Sequence, residues 1–402
     1  MKCILFIADA VRPDYLGCYG NPRIQTPAID ALASAGTRFD QVVTAAPWTA
    51  PSTASIISGI YAHKHQVFTW DKGLPHSIPT LFHVFAENRH EVASFVFDRD
   101  YLFSAMPYAN VQGNTGDMDE VCRWLANNAS QEFFLLVHSW ATHMPYQVQH
   151  SDRPAWKDAK RLFIEKLQTG DPAAVRSSQE AYARSIEYCS SRQVRRLVDL
   201  LVDQGILDDT LFIFMSDHGE SWGERFEDSG QIEGIHHLHG RFLYDETIMV
   251  PLIMHWPARL PAGRVIGGQV RTVDLLPTIL EFAEIPQPDA GYDGDSIREL
   301  ISGDRAANRA AYCSTSEHGQ LSKICLREPP FKYIRNLDLG TEELYDLSTD
   351  GREKDNQFAE RTSEAERMKE AVDQQLADRD VDRLSAEEEA LLTQRLSDLG
   401  YI

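Results

Sequence analysis

The chain has 402 residues, and its 60 acidic against 39 basic residues give a formal net charge of −21. Such an excess of negative charge repels nucleic-acid backbones and anionic lipid, and no run of Lys and Arg offsets it locally. Hydrophobic residues at 43% and charged residues at 25% are typical of a globular protein and exclude disordered, collagen-like and disulfide-scaffold chains. We therefore expect neither nucleic acid nor a membrane as a partner.

Two features of the sequence predict a cytoplasmic protein. The first apolar run, residues 3–8, ends at Asp9 and is too short for a membrane span or for the apolar core of a signal peptide. The six cysteines are scattered without CxxC spacing, which indicates structural thiols rather than a zinc or redox site. The sequence leaves open whether the chain forms a homo-oligomer.

Short apolar runs alternate with amphipathic segments along the chain, which is the pattern of an α/β fold. Near-continuous apolar runs predict strands over residues 2–8, 92–96, 133–138, 210–215 and 250–254. Runs of this kind are typical of a parallel sheet that helices cover on both faces.

Helices are predicted between these strands by capping residues and by apolar spacing. Thr26 as N-cap, Pro27 at the first helical position and Gly36 as the stop delimit the first helix. Similar spacing predicts further helices over residues 116–128, 181–202 and 273–284. In the last of these, Pro277 either lies at the start of the helix or kinks it.

The pattern changes after about residue 310 to short mixed runs followed by polar helices. The mixed runs predict strands at residues 311–314, 332–335 and 343–347. Capping boxes that start at Ser363 and Ser385 predict the beginnings of two helices. We therefore expect a main domain over residues 1–310 and a smaller α+β C-terminal subdomain over residues 311–402.

Candidate catalytic residues follow three of the predicted strands. Reactive groups in an open α/β sheet lie beyond the carboxyl ends of the strands. Asp9 ends the first predicted strand, Asp217 and His218 follow another, and His143 lies shortly after a third. An Asp in such a place commonly caps a turn, so the argument depends on the residues occurring together. Their oxygen and nitrogen donors predict a divalent ion, with Zn²⁺ or Mn²⁺ favoured over Ca²⁺ or Mg²⁺.

Two further segments carry candidate groups. Pro51 fits the first turn of a helix and places Thr49 at its N-terminus, where backbone N–H groups attract an anion. From spacing alone, Thr49 could equally be only the N-cap. A later histidine cluster includes His237 and His239, either of which could bind a metal or donate a proton, and His138 and His237 are further candidate ligands.

These residues and the motifs around them resemble the sulfatase branch of the alkaline phosphatase superfamily. The matching segments follow that family's order and include ILFIADAVRPDYLGCYGN, TPAIDALASAGTRF, APWTAPSTASIISGIYAHKH, SDHGE, HGRFLYDETIMVPLI and RLSDLGYI. The resemblance implies an alkaline phosphatase-like α/β fold. In that fold, a three-layer α/β/α sandwich forms the catalytic domain and is followed by a small C-terminal α+β subdomain.

The resemblance also implies roles for individual residues. It assigns the family's shared divalent metal to Asp9, Thr49, Asp217 and His218. Thr49 is then the nucleophile, His143 contacts the substrate or protonates the leaving group, and His239 holds a second metal or the substrate anion. One ion is favoured over two, because Ala141 or Thr142 occupies the place of a carboxylate that a second site needs.

The nucleophile segment departs from that of true sulfatases. Those enzymes carry Cys or Ser, matured to formylglycine, with Pro two and Arg four residues later, whereas this chain has Thr49, Pro51 and Thr53. Threonine cannot become the aldehyde because its β-carbon bears a methyl group. The family's second opening Asp is Ala10 here, and no lysine-containing GKxH-like segment occurs near residues 95–110. Threonine as nucleophile resembles the phosphodiesterases, phosphonate monoester hydrolases and phosphoglycerol transferases of the superfamily.

The leading hypothesis is a metal-dependent hydrolase of phosphoric or phosphonic esters. In it, Thr49 attacks phosphorus and forms a covalent phosphothreonine, and His143 or His239 protonates the leaving oxygen. The expected partner is a small-molecule phosphate, phosphonate or sulfate ester. Three alternatives stay open: a sulfuric-ester hydrolase without formylglycine, a phosphoryl-group transferase on the same site, and a catalytically silent binding protein that kept the fold.

Overall fold

The computed structural model describes residues 1–69, 72–75, 77–96, 110–113, 115, 117–146, 153–169, 171–223, 238–288, 291–303, 308–317 and 319–377. These residues form one large sheet, one small sheet and the helices that pack on them. Within these ranges no helix is both long enough and apolar enough to cross a membrane.

The large sheet lies at the centre of the molecule. Its described strands are β1 (Lys2–Ala8), β2 (Thr37–Val43), β3 (Glu91–Phe95), β4 (Val111–Gly113), β5 (Phe133–Ser139), β6 (Thr210–Met215), β7 (Leu252–His255) and β8 (Arg264–Arg271). They lie in the spatial order β4-β3-β5-β1-β6-β7-β2-β8. The apolar β1 pairs in parallel with β5 on one side and with β6 on the other, which places the most buried strands in the middle.

This sheet is mixed, not parallel throughout. β7 pairs antiparallel with both β6 and β2, so the predicted parallel sheet is wrong for this strand. The physical reason is that a buried apolar run has the same pattern in either direction. β2, β4 and β8 were not predicted, and β2 and β8 mix polar with apolar residues because they lie towards one edge of the sheet.

Helices cover both faces of the large sheet. The described helices that precede the small sheet are α1 (Pro27–Ala35), α2 (Thr49–Ser58), α3 (Ala62–His65), α4 (Leu81–Glu87), α5 (Met118–Asn128), α6 (Arg153–Gln168), α7 (Pro172–Tyr188), α8 (Arg195–Asp203), α9 (Asp245–Ile248), α10 (Leu275–Ala283) and α11 (Arg298–Ser302). Apolar residues of α2, α4 and α10 pack on one face, and those of α1, α5, α7 and α8 pack on the other. The predicted three-layer α/β/α sandwich is confirmed.

The predicted helix boundaries hold in part. Thr26 is the N-cap residue of α1, but its hydroxyl donates to the Asp30 carboxylate and does not cap the backbone. Pro277 lies in the first turn of α10, so the helix begins there without a kink. The helix predicted over residues 181–202 is divided between α7 and α8 by a π-helical segment, Cys189–Val194.

The C-terminal part contains a small antiparallel sheet. Its described strands are β9 (Ala311–Glu317), β10 (Gln320–Glu328), β11 (Phe331–Asn336) and β12 (Thr341–Asp346), in the spatial order β12-β11-β10-β9. β10 was not predicted. The helix α12 (Thr362–Ala377) packs on this sheet through Ala365, Met368 and Val372. Ser363 lies inside α12 instead of capping it, while the predicted start at Ser385 and the closing segment RLSDLGYI lie outside the described residues.

A buried ion cluster connects the small sheet to α9. Lys332 on β11 is fully buried, and its Nζ lies 2.9 Å from Asp245 Oδ1 and 2.6 Å from Glu353 Oε1. Arg327 Nη2 lies 3.0 Å from the other carboxylate oxygen of Asp245. Burial disfavours the charge on Lys332, but the two carboxylates outweigh this and raise its pKa. The cluster therefore compensates the buried carboxylate of Glu353 and the partly buried one of Asp245 with two cations.

Candidate functional site

The carboxyl ends of three neighbouring strands bring three buried side chains together. Odd-numbered residues of β1 and β6 and even-numbered residues of β5 face the side of the sheet that α2 covers. Because side chains alternate along a strand, Asp9, Asp217 and His138 project towards this same side. All three side chains are fully buried. His138 Nε2 lies 3.6 Å from Asp9 Oδ2 and 3.5 Å from Asp217 Oδ2.

Thr49 faces these carboxylates from the start of α2. It is the first helical residue, and Trp48 before it is the N-cap residue with an extended backbone. Thr49 Oγ1 donates to Asp9 Oδ2 over 3.1 Å and lies 3.3 Å from His218 Nε2. The threonine hydroxyl is therefore directed towards the strand ends and does not cap its own helix, so the reading of Thr49 as only an N-cap is wrong.

Asp9, Asp217 and His218 form a cluster that fits a divalent ion. Each offers one ligand atom, and these atoms lie within 4.8 Å of one another. His218 Nε2 lies 3.8 Å from Asp9 Oδ1 and 3.7 Å from Asp217 Oδ2. Among the described residues, no group donates a hydrogen bond to either of these two carboxylate oxygens. Since buried carboxylate oxygens without donors are costly, a cation with mixed oxygen and nitrogen ligands suits this place.

Backbone contacts hold the ligand residues in position. Asp217 Oδ1 accepts hydrogen bonds from the backbone N–H groups of Ala10, at 3.1 Å, and His218, at 3.0 Å. His218 Nδ1 donates to the Gly219 carbonyl over 2.8 Å, which leaves Nε2 as its ligand atom. A Cβ at Gly219 would lie 2.1 Å from the Glu246 carbonyl oxygen, so only glycine allows this close approach.

The charges in the cluster shift one another's pKa values. Burial raises the pKa of Asp217, but His218 and His138 outweigh it and hold the pKa below its ordinary value. Burial lowers the pKa of His138, but the contacts with Asp217 and Asp9 outweigh it and raise the pKa to about 10. The two carboxylates therefore favour positive charge at their centre.

Ala10 adopts a left-handed backbone conformation, with φ +57°. This conformation costs an ordinary residue about 1 kcal/mol. It is fixed from both sides, because the Ala10 N–H donates to Asp217 Oδ1 and the Ala10 carbonyl accepts the Tyr182 hydroxyl at 2.6 Å. The strain is therefore located between two parts of the candidate site.

The two predicted catalytic histidines lie beside the cluster. The ring centroid of His239 lies 4.5 Å from that of His218 and 5.6 Å from that of His143. His143 Nδ1 donates to the Met144 carbonyl over 2.6 Å, and its ring stacks on Trp140 at 4.5 Å. The structure thus brings Thr49, the Asp9, Asp217 and His218 cluster, His138, His143 and His239 into one group of neighbours. The candidate ligand His237 and residues 97–109 lie outside the described residues.

Glu220 is a member of this group that the sequence analysis did not assign. It is fully buried, its Oε1 accepts from His239 Nδ1 over 2.7 Å, and its Oε2 accepts from the Tyr146 hydroxyl over 2.6 Å. Burial lowers the pKa of His239, but the Glu220 carboxylate outweighs it and raises the pKa above its ordinary value. The available signal was its position directly after the SDHG segment.

Lys160 of α6 is a second unassigned residue. Burial lowers the pKa of its ammonium group, and the charges of Asp9 and Glu220 partly oppose this. These charge interactions indicate that α6 carries a cation into the electrostatic field of the site. No short-range motif could have identified it, because Lys160 lies far from the other site residues along the chain.

Comparison with known proteins gives the family. A family model described as "Sulfatase" matches residues 2–285, and one described as "N-sulphoglucosamine sulphohydrolase, C-terminal" matches residues 234–382. An ulvan-active sulfatase from Formosa agariphila is 28% identical over 379 residues, covering 90% of this chain and 70% of that protein. An arylsulfatase from Clostridium perfringens is 23% identical, covering 88% of this chain and 89% of that protein.

A solved structure agrees in fold. The structure of a phosphonate monoester hydrolase from Silicibacter pomeroyi matches with a TM-score of 0.71 and 17% identity, covering 94% of this chain and 95% of that one. Sulfatase-family enzymes bind a divalent metal, and the Asp9, Asp217 and His218 cluster offers suitable ligands here. On its matching family model and its fold, the chain belongs to the sulfatase family of hydrolases.

Proposed function

We propose that the protein is a metal-dependent hydrolase of phosphoric or phosphonic esters that forms a covalent phosphothreonine on Thr49. The observation that carries this proposal is the position of the Thr49 hydroxyl, 3.1 Å from Asp9 Oδ2 and 3.3 Å from His218 Nε2. A threonine cannot be matured to formylglycine, so Thr49 keeps its hydroxyl group and reacts through it. A buried alcohol beside a divalent-ion cluster suits attack on phosphorus.

A divalent ion bound here lowers the pKa of a coordinated hydroxyl and neutralises charge on the ester oxygens. The residues that would hold it are Asp9, Thr49, Asp217 and His218. Because His218 offers nitrogen, we propose Zn²⁺ or Mn²⁺ before Ca²⁺ or Mg²⁺. We propose one ion, since Thr142 uses its hydroxyl to bond the Asp9 carbonyl at 2.6 Å and brings no carboxylate.

The chain positions the reacting groups in the following way. Asp9 Oδ2 accepts the hydrogen bond of the Thr49 hydroxyl and so orients the attacking oxygen. Thr49 also lies at the N-terminus of α2, where free backbone N–H groups and the helix dipole favour the phosphoryl oxygens. These fixed dipoles need no reorganisation during the reaction.

We assign the proton for the leaving oxygen to His239. Its Nδ1 is engaged by Glu220, so Nε2 is the atom left to donate, and the Glu220 carboxylate raises the pKa of the ring and so favours its protonated form. His143 differs, because its Nδ1 donates to a backbone carbonyl and its Nε2 accepts when the ring is neutral. His143 therefore suits contact with substrate or with the water that resolves the phosphothreonine.

We expect Glu220→Gln to lower kcat about 10- to 100-fold with a smaller effect on KM, as is typical when the partner of an active-site histidine is lost. The amide no longer supplies the negative charge that raises the pKa of His239. The measurement is steady-state hydrolysis of an aryl phosphonate or a bis-aryl phosphate. Tyr146→Phe is the matched control, because it removes the other partner of Glu220 and leaves the carboxylate facing His239. Equal loss of kcat in both variants would contradict the assignment.

The proposed function is tested by trapping the intermediate. The protein, analysed for bound metal, is mixed with a bis-aryl phosphate, quenched in acid and measured by intact mass spectrometry. We expect a mass increase of one aryl-phosphoryl group, because one aryl alcohol leaves and the other aryl group stays on phosphorus; this adduct maps to Thr49 after proteolysis and is missing from Thr49→Ala. An aryl sulfate is used in a separate reaction, in which an adduct would add one sulfuryl group. Turnover without an adduct on Thr49 would overturn the proposed mechanism.

A second candidate function is hydrolysis of sulfuric esters by unmodified Thr49. The observation in its favour is that most of the named relatives are sulfatases, among them the proteins from Formosa agariphila and Clostridium perfringens. Rates on an aryl sulfate and on a bis-aryl phosphate, measured with the same protein, separate the two functions. A phosphoryl-group transferase differs only in the acceptor, so added alcohols that yield a new ester would reveal it.

We also propose a division of the chain at residue 310. The small sheet begins at Ala311, and its described strands pair with one another and not with the large sheet. On this division the first part carries all of the proposed site residues, while residues 311–402 form a supporting subdomain. The ion cluster around Lys332 is one of several polar contacts that join the two.

We further propose that the protein works in the reducing cytoplasm. The support is that all six cysteines are free thiols. Cys313 and Cys325 are buried and lie directly opposite each other on β9 and β10. Facing cysteines of this kind suit a compartment that keeps thiols reduced.

A further inference from the structure

We propose that His138 is a further protein ligand of the divalent ion and makes the site prefer Zn²⁺ over Ca²⁺. It adds a second imidazole, from β5, to the ligands named above. The proposal rests on the proposed function only in that the protein binds a divalent ion. It is independent of which ester the enzyme hydrolyses.

His138 and His218 approach the same two carboxylate residues. The Nε2 atom of His138 lies 3.6 Å and 3.5 Å from oxygens of Asp9 and Asp217, and the Nε2 atom of His218 lies 3.8 Å and 3.7 Å from oxygens of the same two residues. His138 approaches Oδ2 of Asp9 and His218 approaches Oδ1, whereas both rings face Oδ2 of Asp217, at 3.5 Å and 3.7 Å. An ion bound to Asp217 Oδ2 would be in reach of both rings.

The register of the sheet explains why His138 arrives there. Ile7 of β1 pairs with His138 of β5 and with Met215 of β6, so the three strands end at the same level. His138 lies on the face that α2 covers, as do its neighbours Phe134 and Leu136. The residues before it on this face are apolar, so packing alone does not call for an imidazole at this position.

The burial of His138 also supports a role as a metal ligand. Its side chain has no exposed surface, and the nearest charged groups are the two carboxylates of the cluster. A buried polar ring needs polar partners, and here these partners are themselves candidate ligands. Calcium and magnesium prefer oxygen ligands, whereas imidazole suits zinc and later transition metals. A second imidazole therefore changes the preference of the site.

The first test counts the imidazoles directly. Full-length protein is depleted of metal, loaded with one equivalent of Mn²⁺ as a paramagnetic probe and labelled with a nitrogen isotope in histidine. Pulsed electron paramagnetic resonance then reports the coordinated nitrogens. We expect two in the native protein and one in His138→Gln. His65→Gln is the matched control, because His65 is also buried but contacts Ser55 Oγ at 2.9 Å, outside the cluster.

The second test measures selectivity by competition with a chelator. We expect His138→Gln to weaken Zn²⁺ binding about 100-fold or more. Loss of a residue that only hydrogen-bonds to a metal ligand already weakens metal binding about 10- to 100-fold, and loss of a ligand itself should cost at least as much. Ca²⁺ binding should change less than about 10-fold, since imidazole contributes little to it. If His138 were only a structural support, its loss would weaken the binding of both ions equally. If the protonated His138 competed with the metal ion for the carboxylates, its loss would make both ions bind more tightly. Either result would overturn the proposal.

The outcomes separate this inference from the proposed function. One coordinated imidazole in the native protein overturns the role of His138 and leaves the metal-dependent mechanism intact. Failure of the native protein to bind Mn²⁺, Zn²⁺ or Ca²⁺ contradicts both. The count in the native protein decides the question even where His138→Gln does not fold.

Discussion

We expect Thr49→Val to lower turnover of a bis-aryl phosphate by about 10⁴-fold or more, the size of effect seen when an enzyme loses its nucleophile. Valine has nearly the shape of threonine and fills the same buried position. What it lacks is the oxygen that faces Asp9 and His218. The measurement is kcat for the metal-loaded variant, with circular dichroism to verify that it is folded.

Thr53→Val is the matched control for this variant. It makes the same chemical change one helical turn further along α2, where the Thr53 hydroxyl is buried and has no hydrogen-bond partner among the described residues. We expect its turnover to stay within a few-fold of the native value. Thr49→Ser keeps a hydroxyl and should retain measurable activity. Native turnover in Thr49→Val would remove the basis of the proposed mechanism.

We expect Lys332→Met to lower the free energy of unfolding by about 3–5 kcal/mol, the range measured when one partner of a buried ion pair is removed. Methionine replaces the bulk of the lysine stem but leaves Asp245 and Glu353 without the cation between them. Equilibrium unfolding in urea, followed by tryptophan fluorescence, measures the change. An additional Glu353→Gln exchange should recover part of the loss, because it removes one unpaired charge.

Lys369→Met provides the comparison on an exposed ion pair. Lys369 Nζ lies 3.0 Å from Glu342 Oε1, and its side chain is 40% exposed. We expect this variant to lose less than about 1 kcal/mol, because water compensates the partner that remains. Equal losses of unfolding free energy in the two variants would show that burial does not increase the contribution of the Lys332 cluster to stability.

The sequence predicted the centre of the candidate site because the position of a strand end needs only local information. Apolar runs locate β1 and β6, and the first acidic residues after them are Asp9 and Asp217. Parallel neighbours then end at one edge of the sheet. The same local reasoning placed Thr49 at the start of a helix, since Pro51 restricts where that helix begins.

Contacts between distant segments could not be predicted in this way. The pairing of Glu220 with His239 joins residues that no periodic pattern relates, and Lys160 enters the field of the site from a separate helix. The predicted direction of β7 was wrong because a strand buried on both faces has no pattern of polar residues that distinguishes parallel from antiparallel pairing. The register that puts His138 between two carboxylates depends on strand pairing, which spacing alone does not give.

The left-handed peptide at Ala10 bears on how this enzyme relates to its relatives. Aspartate tolerates that conformation better than alanine does, and aspartate is the residue that the sulfatase resemblance would place there. The main-chain bend at this position is therefore one that an acidic residue would fit. Since Tyr182 and Asp217 hold the peptide unit, not the methyl group, exchanging one side chain would leave the bend in place. An Ala10→Asp exchange would therefore add a carboxylate next to Asp9 without rearranging the fold.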